Sequence, residues 1–338
     1  MATHGSPGRR RIVVRAVWLV GAAVGFYVFT PTILAFVDDA PRLLQIEPGW
    51  FPLLLLAQGA SFVALWRLHH VAIRCDDRVL IATSQLASNA FSRIVPGGAA
   101  AAGALQFRML VQGGVAPAAA ATGLTAVGLI TIAALFALPI LAVPAIVAGA
   151  PVARGLWQAA LVGVAAFAFL FGVALAAMNG DGLLRAAARI WTSVRRRFGR
   201  EPAPTDDPAG HVLAQRDEVR AALGRGWRTA IAAAVGNRLL DYLSLLFALT
   251  AVGARPRPSL VLLAYVAATV LGMIPITPGG LGFVEAGLAA TLRLAGVAAP
   301  EAVLATLAYR LVSYWLPLPV GAVAYAVYRR RITSRAPV

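Results

Sequence analysis

Five charged side chains stand inside long apolar stretches of this 338-residue sequence: Arg93, Arg238, Asp241, Glu285 and Arg310. A charge in hydrocarbon is costly, so such residues face a protein interior or a water path rather than lipid. Arg238 and Asp241 lie three apart in NRLLDY, share a helix face and can pair. Asn237 is adjacent. Arg310 lies in AYRLVSYW, ahead of a kink expected at Pro317 and Pro319. Asn89 and Arg93 precede a Pro-Gly-Gly triplet, Arg108 follows it, and Glu285 follows a second triplet by one turn. The three deep arginines outnumber the two carboxylates. That surplus favours an anionic guest, and the guanidinium fork matches phosphate oxygens. Each residue also has a plainer reading. Arg238–Asp241 is then a neutralised structural pair, and Glu285 stabilises a half-helix N-terminus. Arg310 is the structural counter-ion of Glu285. Arg93 reaches the interface along its aliphatic stem, and Arg108 is ordinary cytoplasmic charge.

The triplets are the elements that must position these groups. Residues 275–287 read PITPGGLGFVEAG, and residues 93–110 read RIVPGGAAAAGALQFRML. Pro96-Gly97-Gly98 recurs 182 residues later as Pro278-Gly279-Gly280, with Pro275 and Gly282 as further breakers. The same offset carries Gly114-Val115-Ala116 onto Gly296-Val297-Ala298, and the apolar run at 50–70 onto 232–252. The limb 98–112 is short and holds Gln106, Arg108 and Gln112, so it makes a poor full span. A re-entrant hairpin fits each triplet, because broken backbone at depth is tolerated only inside protein or beside a wet cavity. Two such hairpins opening from opposite sides make inverted repeats, the architecture of secondary transporters, with half-helix N-termini aimed at an anionic site.

Composition sets the frame. The chain is 59% hydrophobic and 13% charged, with mean hydropathy +0.76. Apolar runs near 17–37, 50–66, 116–147, 156–178, 229–252, 260–274 and 302–328 approach or exceed the ~20 residues that cross a bilayer. The expected fold is an all-α polytopic membrane protein. It has six full spans plus two re-entrant helical hairpins, or eight spans if each hairpin opens into two crossings. All basic residues are arginine, and their placement follows the positive-inside rule. The net charge of +16 is therefore topological and implies no nucleic-acid partner. Both termini are expected in the cytoplasm and the protein in the plasma membrane. The domain reading is a cytoplasmic arm at 1–11, one transmembrane domain at 12–330 and a tail at 329–338. The transmembrane domain divides into repeat one at about 12–178, a cytoplasmic loop at 179–227 and repeat two at about 228–328. The loop holds EPAPTDDPAG and an arginine run, which suit a solvated linker or attraction to anionic headgroups. The single cysteine, Cys75, excludes an internal disulfide and a cysteine metal cluster. The sequence offers no metal-ligand set, no nucleophile with a histidine base and no phosphate loop, so neither cofactor nor metal is expected.

IPITPGGLGFVEAGL followed by AYRLVSYWLPLPVGA resembles the C-terminal signature of the lysylphosphatidylglycerol synthase transmembrane-region family, the flippase-like domain proteins. The matching residues are Pro275, Pro278, Gly279, Gly280, Gly282, Glu285, Tyr309 and Arg310. Asn89, Pro96, Gly97, Gly98 and Arg108 carry a looser first-half match, and the resemblance spans roughly 12–330. It implies an integral membrane domain linked to lipid translocation, fused in some members to a soluble aminoacyl-transfer domain. This chain is expected to stand alone without that domain, so it cannot transfer lysine from tRNA by itself. Other relatives accompany polyprenol-linked glycan enzymes. The leading expectation is a non-enzymatic lipid translocase. Its cargo is an anionic phospholipid or polyprenyl phosphate, moved through a groove between the two hairpins. The alternatives are a non-catalytic partner recruiting a separate lipid-modifying enzyme through 179–227, and an intramembrane headgroup transferase with Asp241 or Glu285 as base.

Overall fold

The computed structural model describes residues 48–95, 98–144, 224–273 and 278–334, with isolated positions between 154 and 172. The arm at 1–11, the run at 17–37, most of 156–178, nearly all of the 179–227 loop, and Pro96, Gly97 and Pro275 lie outside the described residues.

The described residues form helices and turns with no strand. They are α1 (Phe51–Ile73), α2 (Arg78–Ile94), α3 (Gly98–Gln112), α4 (Pro117–Ala137), α5 (Trp227–Ala251), α6 (Pro258–Leu271), α7 (Phe283–Leu294), α8 (Ala299–Arg310) and α9 (Pro317–Thr333). Proline in the first turn starts α1, α4, α6, α8 and α9, where its missing N–H has no intrahelical partner to lose. The α2 N-terminus is capped by Asp77, whose Oδ1 accepts from the Leu80 N–H at 3.0 Å. A π-helical turn, Leu311–Trp315, joins α8 to α9.

Among the described residues, four stretches are long and apolar enough to cross a membrane: Pro48–Ile73, Pro117–Ala142, Trp227–Ala251 and Ala299–Thr333. They coincide with four of the expected spans. The last continues past the expected boundary at 328, because the arginine-rich segment keeps the helix going to Thr333. By contrast α2, α3, α6 and α7 have 17, 15, 14 and 12 residues. At about 1.5 Å per residue none reaches the ~30 Å of a hydrocarbon core.

The helix order of the first half returns in the second. The α3–α4 turn holds Gly114 at φ +97°, with the Val115 N–H on the Leu110 carbonyl at 3.0 Å. The α7–α8 turn holds Gly296 at φ +92°, with the Val297 N–H on the Leu292 carbonyl at 3.1 Å. Both are glycine-terminated helix ends with the same hydrogen bond, at the 182-residue offset seen in the sequence.

The antiparallel pair α1 and α5 is central. Asn237 Nδ2 donates to the Ser61 carbonyl at 3.0 Å, Ser61 Oγ donates back to the Asn237 carbonyl at 3.0 Å, and Ser244 Oγ donates to the Leu54 carbonyl at 3.4 Å. Small residues let the backbones come this close, as intramembrane helix pairs require. Gly321 of α9 lies against Ala90 and the Leu86 carbonyl of α2, where a Cβ would collide. A buried apolar core around Tyr265, Leu245, Leu249, Leu263 and Leu288 binds α5 to α6, α7 and α8. Outside it, Leu56, Val63, Ile94, Leu129 and Val323 are exposed, an apolar exterior that suits lipid and not water.

Candidate functional site

The end of α2, the second Pro-Gly-Gly turn and the π-helical turn converge on one ring, that of Tyr314. Arg93 sits in the last turn of α2. Its Nε donates to Asn89 Oδ1 at 3.0 Å, one helical turn back, and its Nη1 donates to the Ser313 carbonyl at 2.8 Å. That carbonyl is available because its helical donor would be the N–H of residue 317, which is proline. The π turn forms at the same place, with the Leu316 N–H on the Leu311 carbonyl five residues back at 2.9 Å. Tyr314 returns the contact, donating its hydroxyl to the Arg93 carbonyl at 3.1 Å. Both guanidiniums use its ring, Arg93 at 4.8 Å and Arg310 at 4.2 Å from the centroid. Gly279 fills the remaining space. Its φ of +60° is left-handed, and a Cβ there would strike the Tyr314 hydroxyl and the Arg93 carbonyl. Only glycine meets both demands.

Behind this junction lies the ion pair. Arg310 Nε donates to Glu285 Oε1 at 2.6 Å, and both side chains are about nine-tenths buried. The pair uses one edge of each group: Arg310 Nη2 and Glu285 Oε2 are buried without a hydrogen-bond partner. Asp241 is the neighbouring carboxylate. Its Oδ2 accepts from the Tyr265 hydroxyl at 2.7 Å and the Tyr309 hydroxyl at 3.0 Å. The pairing that spacing allows between Arg238 and Asp241 does not form. The two phenols occupy the carboxylate, and Arg238 Nε is buried with no acceptor. Arg238 also interacts with Tyr265, and Tyr309 lies in the field of Arg310, so polar groups extend from Arg238 through Tyr265, Asp241 and Tyr309 to Arg310, Glu285, Tyr314 and Arg93. They include three guanidiniums and two carboxylates among apolar helices.

The sequence matches the lysylphosphatidylglycerol synthase TM region over residues 13–321. The chain belongs to that family. Two archaeal relatives from Methanothermobacter thermautotrophicus, each described as a UPF0104 membrane protein, are 30% identical over 100 residues and 32% identical over 71. The matched regions cover 30% and 21% of this chain and 28% and 21% of those relatives, so the likeness reaches only a minor part of their length. Family membership and the apolar spans together make this a multi-pass membrane protein.

Among the residues that marked the family in the sequence, Gly279, Glu285 and Arg310 meet at the junction, with Tyr309 beside them on Asp241. Arg108 does not join it. This residue is exposed on the outer side of α3. Asn237 is buried but spends its amide on Ser61, holding α5 to α1 rather than facing the arginines. Gly98 opens α3 so close to the Ser92 carbonyl that a Cβ would overlap it. Tyr314, Tyr265 and the Ser313 carbonyl were not singled out from the sequence. Two signals were present: the four-residue spacing of Arg310 and Tyr314, and a proline four residues after Ser313. Two surface hollows, of about 520 and 680 Å³, open at the equivalent turns around Gly114 and Gly296, and neither is lined by a residue of the junction.

Proposed function

We propose that this family member moves an anionic lipid, a phospholipid or a polyprenyl phosphate, between the leaflets of the plasma membrane. In this reading α2–α3 and α6–α7 are re-entrant hairpins entering from opposite sides as inverted repeats, and both chain termini are cytoplasmic. The headgroup passes the junction while the acyl chains stay in lipid. No covalent step is needed, so the protein acts without being an enzyme.

The observation that carries the reading is the junction itself. Three arginines against two carboxylates, brought together from α2, α5, α7 and the 299–333 span, leave a surplus positive charge, with unsatisfied buried polar atoms on Arg238, Glu285 and Arg310. The short lengths of α2, α3, α6 and α7 and the repeated glycine turns support the hairpin arrangement.

The test is leaflet exchange in proteoliposomes. Fluorescent phosphatidylglycerol or polyprenyl phosphate in one leaflet should become accessible to a membrane-impermeant quencher on the other side. Arg310→Gln should slow this by at least about tenfold, the loss of one charge-assisted contact of ordinary strength. Exchange no faster than in empty vesicles for every anionic lipid tried would refute the reading.

A further inference from the structure

We infer that Glu285 is a resident stand-in for the cargo's phosphate: it occupies Arg310 in the empty protein and must yield that guanidinium when a phosphate-bearing headgroup binds. This rests on the translocation reading and specifies its binding step.

The geometry supporting it is a half-made contact. A guanidinium facing a carboxylate can form two parallel hydrogen bonds. Here one is made, Arg310 Nε to Glu285 Oε1 at 2.6 Å, while Nη2 and Oε2 are both buried without a partner. Leaving buried polar atoms unpaired is costly, because each has lost its water and gained no partner. A pair selected only to neutralise two charges would close that second bond. Instead Arg310 lies over the Tyr314 ring at 4.2 Å, beside Arg93 at 4.8 Å from the same centroid, with its free edge unspent. Among the described residues Arg93 has no hydrogen-bonded carboxylate: its hydrogen bonds go to the neutral Asn89 side chain and the Ser313 carbonyl. The two guanidiniums share one ring, Arg310 alone of the two is hydrogen-bonded to a carboxylate among the described residues, and a phosphate offers the extra oxygens that the carboxylate lacks. Each fixed element has a part. Tyr314 holds both cations in place, Gly279 lets the second hairpin approach them, and Glu285 on the first turn of α7 is carried by that hairpin. Displacing Glu285 from Arg310 thus loosens the second hairpin from the last span, so binding and hairpin release are one event.

A competing internal anion makes a prediction of sign. Removing its charge should strengthen binding of the external anion, whereas removing a residue that touches cargo, or one that only supports the fold, should not. Purified protein in detergent is melted against dihexanoyl phosphatidylglycerol, dihexanoyl phosphatidylcholine and inorganic phosphate. The phosphatidylglycerol should raise the melting temperature of the wild type. Glu285→Gln should respond at about tenfold lower concentration, an ordinary coupling between two ligands of one site. Arg310→Gln should not respond. Glu285→Asp keeps a counter-ion for the buried arginine and shortens its reach, so it should fold where the glutamine variant does not and shift the response in the same direction by less. If both Glu285 variants need as much phosphatidylglycerol as the wild type or more, the inference is overturned, while leaflet exchange by the wild type can still stand. If inorganic phosphate acts as well as the lipid and shows the same Glu285 dependence, the displaced carboxylate stands and the lipid reading falls. If no anion shifts the wild type, both fall.

Discussion

At the scale of single residues, the junction depends on a donor and an acceptor 220 positions apart, Arg93 and the Ser313 carbonyl. Pro317 frees that carbonyl, and Arg93 satisfies it. Arg93→Gln should therefore lower thermal stability by about 1–3 kcal/mol, since a buried acceptor loses its partner. Pro317→Ala restores a helical N–H that can take over. In that background the Arg93→Gln penalty should shrink by about 1 kcal/mol, measured as a double-mutant cycle on thermal melts. Equal penalties in the two backgrounds would show that the carbonyl does not matter. The same contact marks the limit of reading residues from sequence. The pairing of Arg310 with Glu285 was legible, because each was an isolated charge in an apolar run and their charges were complementary. The fate of Asp241 was not. Local spacing offered it Arg238, while its actual donors, Tyr265 and Tyr309, lie 24 and 68 positions away on α6 and α8.

At the scale of elements, the breakers were legible and their destination was not. Clustered proline and glycine in an apolar run favour an interruption, so breaks near 96–98 and 275–282 were legible, whereas the single breakers at Gly59, Gly236 and Gly321 stay inside helices. Where an interruption lands depends on packing. Gly279 shows the difference. It shares a positive φ with Gly114, but only Gly279 faces other groups: a Cβ at Gly114 meets nothing within 4 Å. Gly114→Ala should cost about 1 kcal/mol, from backbone strain alone. Gly279→Ala should cost clearly more, because the methyl group must push apart Tyr314 and Arg93, and it should also slow leaflet exchange. Thermal melts and the vesicle assay on both variants decide it. Equal destabilisation with exchange intact would mean that the second hairpin need not touch the last span.

At the scale of the whole molecule, two ends can be told apart by their contacts. At one end Arg331 Nη1 meets Asp77 Oδ1 at 2.7 Å, so the end of α9 lies beside the α1–α2 turn that holds Cys75. At the other, the Trp50 and Phe247 rings lie 6.0 Å apart and tilted by 30°, where α1 begins and α5 closes. Arginine is dense at the first end, with Arg67, Arg74, Arg78 and Arg329–Arg331, and the proposed topology puts this end in the cytoplasm. Cys75 is the single cysteine, so it reports on this without any substitution. A membrane-impermeant maleimide should label it in inverted membranes and not in intact cells. Inverted repeats demand the reverse at the equivalent position of the second half. With Cys75 replaced by alanine, Arg257→Cys, 182 residues on, should label from outside. Ala100→Cys then separates hairpins from crossings. It lies near the tip of the first hairpin, with an exposed side chain. If the hairpin is re-entrant, its tip is at mid-depth and reacts slowly from either side. If α2 and α3 are two full spans, the tip is outside and labels in intact cells as readily as Arg257→Cys. Slow labelling from both sides is the expected result, because helices of 17 and 15 residues cannot carry the tip across a hydrocarbon core about 30 Å thick.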